Sequence, residues 1–238
     1  MSRHLEAEKI VETLDQLQRR VEERFPNAGL AGVATDLVDT ARKTAKRIRA
    51  VNRPYFLLRL VVLAAAAAGI VGQGLLFQAV AFNPFGGGVD GWEVTQALES
   101  AVNLLILAGA AIWFLMGAEE RLKRRRVFGY LHELRSFAHV VDMHQLTKDP
   151  TAILAGGPRT RSSPVRDMSR FELARYLDYC TEMLALIAKL AALYAEDMRD
   201  AEVIDAVNDI ETLTTNLGRK IWQKIMIIGE LDETANPV

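Results

Sequence analysis

Residues 60–82 read LVVLAAAAAGIVGQGLLFQAVAF, and residues 101–117 read AVNLLILAGAAIWFLMG. A helix of about 20 apolar residues crosses the ~30 Å hydrocarbon layer of a bilayer. The first run has that length, with Gln73 and Gln78 as its polar interruptions. The second reaches it if the helix begins upstream near Trp92, carrying Glu99 and Asn103 at its outer end. No Lys or Arg occurs from Leu60 to Gly117. The pair therefore predicts a transmembrane hairpin. Arg59 lies close enough to the inner end to snorkel to the headgroups.

The flanks set the orientation. Arg42, Lys43, Lys46, Arg47, Arg49 and Arg53 precede the first run, and Arg121, Lys123, Arg124, Arg125 and Arg126 follow the second. The intervening loop carries Asp90 and no base. Basic residues stay on the cytoplasmic side, so both termini are expected in the cytoplasm. The basic residues form a collar suited to anionic headgroups, each worth about 1 kcal/mol near the surface. Because the membrane accounts for the collar, no nucleic-acid partner is implied. A bacterial inner membrane is the expected location, with an organelle membrane as the alternative.

The chain has 238 residues, a formal net charge of -1 and a single cysteine, Cys180. One cysteine excludes an intrachain disulfide and a cysteine-based metal site. Outward from the hairpin the pattern is helical throughout. Ile10, Leu14, Leu17 and Val21 make a narrow seam with coiled-coil-like spacing. Pro26-Asn27 breaks it, and a second helix follows over about 30–51. Beyond Gly117 the pattern continues unbroken through Val127, Leu131, Leu134, Ala138 and Val141 to about Leu146. Asp149-Pro150 opens a short turn of helix, ended by Gly156-Gly157. Ser169 and Glu172 have capping-box spacing and start a helix with Leu173, Leu177, Cys180, Leu184 and Ile187 on its seam. Asp200 caps a last helix, paired with its predecessor as a hairpin.

The expected class is all-α. Residues 1–54 form an N-terminal cytoplasmic helical hairpin. Residues 55–118 form the transmembrane hairpin, with helices at about 56–82 and 95–117 and an outer loop at 83–94. Residues 119–238 form a C-terminal cytoplasmic bundle, with a linker at 147–168.

Three groups of residues could carry chemistry. His132, Arg135, Ser136, His139 and Asp142 share one polar flank of a helix at spacings of three and four, a candidate ligand or ion site. His132 and His139 are seven apart, whereas metal-binding helices offer histidines at i and i+4, so no metal, cofactor or catalytic residue is assigned. Gln73, Glu93, Glu99 and Asn103 are candidate pore residues. In the first run Ala64, Ala68 and Gly72 form a ridge of small residues that lets helices approach closely.

The layout of two membrane helices, a short acidic outer loop and cytoplasmic helices is similar to that of the mitochondrial calcium uniporter family. Trp92-Glu93 resembles that family's Trp-Asp filter entrance. The resemblance covers two residues: Gln96 stands where the family has its second acidic residue, and Ala97 where it has proline. It implies a channel. The seams and the absence of a complete catalytic set point first to a non-enzymatic membrane anchor whose cytoplasmic helices act as a scaffold or signalling module. Its expected partners are the bilayer, further copies of the chain and a cytoplasmic protein. An oligomeric channel is the alternative, and a membrane-tethered ligand-binding enzyme using His132, His139 and Asp142 the second.

Overall fold

A computed structural model describes residues 5–51, 56–81, 91–154, 161–162, 168–198 and 200–235. Every element in them is helical: α1 (Ala7–Arg24), α2 (Gly29–Val51), α3 (Phe56–Ala81), α4 (Gly91–Leu146), α5 (Pro150–Leu154), α6 (Arg170–Asp197) and α7 (Ala201–Ala235). They fall into two compact units, Met1–Asn52 with Arg126–Val238, and Arg53–Arg125. The first unit therefore joins the two cytoplasmic segments expected from the sequence into one body.

In this first unit the seams meet. The Ile10, Leu14, Leu17 and Val21 stripe of α1 is fully buried. It is covered by α2 and α6 of the same chain, forming a bundle within one molecule. Phe25, in the turn after α1, sets its ring edge-on to Tyr176 at 5.4 Å and to Tyr179 at 6.2 Å. Such aromatic pairs add about 0.5–1.5 kcal/mol beyond their burial. Val127, Leu131, Leu134, Ala138 and Val141 of α4 are buried in the same core, as are Leu177, Cys180, Leu184 and Ile187 of α6.

Helix ends are fixed locally. Ser169 Oγ accepts from Glu172 N at 3.2 Å, and the Glu172 carboxylate accepts from Ser169 N at 2.8 Å. These reciprocal bonds satisfy amides that a helix start leaves unpaired. They hold the Glu172 carboxyl below its usual pKa, the Ser169 backbone bond contributing most. Asp200 accepts from Glu202 N and Val203 N at 3.0 and 3.2 Å. That cap stops the chain from running on as one rod, and α7 folds back along α6. Asp149 accepts from Thr151 N at 3.1 Å at the start of α5.

The second unit contains α3 and the first part of α4. Gly69 of α3 faces Leu104 of α4, its missing β-carbon 4.0 Å from Leu104 Cδ2. Ala65, Ala66, Ala108 and Ala111 line the cleft between the two helices together with Val62 and Leu115. Ala64 and Ala68 are exposed, and no atom lies within 4 Å of a β-carbon position at Gly72. The expected small-residue ridge thus lies off this contact. Helix α4 begins at Gly91, so the end of the expected loop 83–94 is helical; residues 82–90 lie outside the described residues. Among the described residues one helical stretch, within Leu98–Leu154, is long and apolar enough to cross a membrane, and Leu60–Gly72 is a shorter apolar one.

Candidate functional site

The polar flank of α4 is one surface. His132, Arg135, Ser136 and His139 are exposed and Asp142 is half-buried. Asp142 accepts from Gln145 Nε2 at 2.6 Å, not from Arg135. Among the described residues no group of three His, Cys, Asp or Glu is placed to hold a metal ion.

A polar cluster around Arg47 links α2 to α4. Glu133 receives a hydrogen bond from Arg47 Nη1 at 2.6 Å and from Thr40 at 3.5 Å. The Arg47 guanidinium lies 4.2 Å over the Tyr130 ring, which stacks on Tyr194 at 5.8 Å. Tyr194 donates to Thr44 at 3.4 Å. Burial opposes the charge on Arg47, but the hydrogen bond and charge of Glu133 outweigh it and raise its pKa. Burial raises the pKa of Tyr194, against the pull of Thr44 and Arg47. A planar guanidinium held between a carboxylate and an aromatic face is a rigid cross-link between helices.

Two further contacts tie down the end of α4. Lys224 of α7 donates to Gln145 O at 2.9 Å and to Gln145 Oε1 at 2.6 Å. A cation at a helix C-terminus pairs with its free carbonyls and offsets its dipole. Burial lowers the pKa of Lys224, and nearby Asp149 and Asp142 only partly counter it. His144 sits against Gly29 at the start of α2. Burial, then the charge of Lys148, lowers its pKa.

The collar residues divide. Arg42 pairs with Asp15 at 2.9 Å, Arg47 with Glu133, and Arg49 with Glu8. Lys123 pairs with Glu119 at 2.9 Å, and Arg121 lies over Phe114 at 5.9 Å. Arg124 and Arg126 are also engaged. Lys43, Lys46 and Arg125 are exposed. Arg53 lies outside the described residues. Of the pore candidates, Glu99 and Asn103 are exposed, while Gln73 and Glu93 hold helical positions with side chains outside the described ones. Sequence reading missed Glu133, Gln145 and Lys224. The available signal was a polar residue beside each buried seam position, such as Glu133 beside Leu134.

No protein-family model, curated protein or solved structure matches this chain.

Proposed function

We propose that this chain is an integral membrane protein in which α3 and the first part of α4 form a two-helix anchor. The anchor presents a cytoplasmic helical bundle that acts as a non-enzymatic scaffold. The observation that carries this reading is the outward apolar surface of the second unit. Leu60, Leu63, Leu75, Ile106, Trp113 and Phe114 are each more than half exposed, in a stretch without a single Lys or Arg. Contiguous apolar surface on this scale marks a partner or membrane face.

Topology gives independent support. The segments before and after the second unit share one core, so a membrane crossed by that unit is crossed an even number of times. The basic flanks then favour the cytoplasm for both termini. Lys43, Lys46 and Arg125 remain exposed to meet anionic headgroups. The cleft between α3 and α4 is lined by apolar residues alone among those described, so a pore within one hairpin finds no support in its lining.

Carbonate washing of membranes and labelling with an impermeant maleimide test this reading. The chain should resist carbonate. Gly88→Cys should label from outside, and Lys43→Cys only after permeabilisation. Release of the intact chain by carbonate, or labelling of Lys43→Cys from outside, would overturn it.

A further inference from the structure

Gln96, Glu99 and Asn103 lie at i, i+3 and i+7 of α4, on one face, and all three are exposed. That face lies to one side of the α3 cleft, whose α4 lining centres on Leu104, Ala108, Ala111 and Leu115 and reaches the stripe only at its edge, at Leu107. None of the three side chains has a hydrogen-bond partner among the described residues. If Trp92 marks the interface, Glu99 lies about 10 Å and Asn103 about 16 Å deeper along the helix axis, within the hydrocarbon layer. Polar groups there have no water to bond with, and leaving them against lipid is costly.

From this we infer that the Gln96, Glu99 and Asn103 face of α4 is a docking surface for a second copy of the chain. The inference rests on the anchoring reading above. Self-association follows from the composition of the stripe. Gln96 and Asn103 carry amide donors about one turn on either side of the Glu99 acceptor. Two copies inserted the same way meet about a twofold axis along the membrane normal, which sets Glu99 beside Glu99 and brings the other copy's Gln96 and Asn103 amides within about one turn of each carboxyl group, as donors to it. An apolar partner helix would leave all three groups unpaired. Within the second unit this face and the α3 cleft share only an edge of α4, so dimerisation leaves the hairpin contact intact.

Oxidative cross-linking of the full chain in its membrane tests the proposal. Ala110 continues the stripe one heptad beyond Asn103, whereas Ala108 faces the cleft. Ala110→Cys should form a disulfide-linked dimer and Ala108→Cys should not; buried Cys180 does not compete. Replacing Gln96, Glu99 and Asn103 together with Leu should abolish the Ala110→Cys dimer in the carbonate-resistant fraction, and Asn103→Gln, which keeps the amide, should retain it. Failure of Ala110→Cys to cross-link in a carbonate-resistant chain would overturn the dimer alone, as would a leucine variant that still cross-links fully. Release of the wild-type chain by carbonate would overturn the anchoring reading and this surface with it.

Discussion

The imidazole of His144 occupies the space that a side chain at position 29 would need: a β-carbon on Gly29 would lie 2.6 Å from His144 Cε1. Contact between the start of α2 and the end of α4 therefore depends on a residue with no side chain. Gly29→Ala forces the ring to shift. Overpacking costs about 1–3 kcal/mol, against a helix-propensity gain of at most about 1 kcal/mol. The expected result is a net loss of about 1 kcal/mol by thermal unfolding in detergent, given these opposing terms. In a His144→Ala background the same substitution should be neutral or stabilising, which a double-mutant cycle reads directly.

The same histidine gives stability a pH slope. Burial lowers its folded pKa, so between that value and the ordinary imidazole pKa of about 6.5 the unfolded chain binds more protons. Its contribution is complete above the unfolded pKa and diminishes as pH falls towards the folded one. Unfolding midpoints measured from neutral to mildly acidic pH should fall with acidification. His144→Gln should flatten that slope.

Arg47 is predicted to be the most sensitive of the basic residues before α3. Its side chain is 25% exposed and that of Glu133 35%, between the surface case, worth under about 1 kcal/mol, and the fully buried one. Arg47→Ala should cost about 1–2 kcal/mol on that scale. Arg47→Lys should recover less than half, since an ammonium cannot reproduce the planar contact with Tyr130. Lys43→Ala, at an exposed position, should leave stability unchanged in the same melt.

Lys224→Met should also destabilise. Gln145 is 2% exposed, and losing the ammonium strands its side-chain carbonyl, while its backbone carbonyl keeps the bond from Lys148 N at 3.0 Å. An unsatisfied buried acceptor costs about 1–3 kcal/mol. Amide exchange should accelerate first in the last turn of α4, which distinguishes loss of a cap from general loosening.

Cys180 is fully buried, and burial pushes its thiol up to about 12. Without thiolate or access it should be inert. Maleimide counting should find no reactive thiol in the native chain and one after denaturation, so the residue reports global unfolding without a probe.

The seams were legible because 3.6-residue periodicity is a property of each helix alone. Leu177, Cys180 and Leu184 announce their burial from spacing, and Ser169 and Asp200 announce helix starts because their partners lie two or three residues away. Arg47 was not legible in this way. Its basic neighbours read as a membrane collar, and its carboxylate lies 86 positions along the chain. Nor does a run of five alanines show which face meets α4: Ala64–Ala68 cover every azimuth, and only the structure selects Ala65 and Ala66. Spacing puts the histidine flank on one face of a helix, but spacing along a single helix is silent about what stands opposite.

The first unit closes only when both ends of the chain are present. Phe25 emerges from the ribosome early, yet the rings it packs against, Tyr176 and Tyr179, are made after the entire second unit. Throughout that interval α1 and α2 hold apolar surface that their own contact does not cover. If the second unit is the proposed anchor, the newborn chain carries an unfinished core while that unit enters the membrane. A holding chaperone or a neighbouring nascent chain competes for that surface, and the order of synthesis becomes part of how this fold is reached.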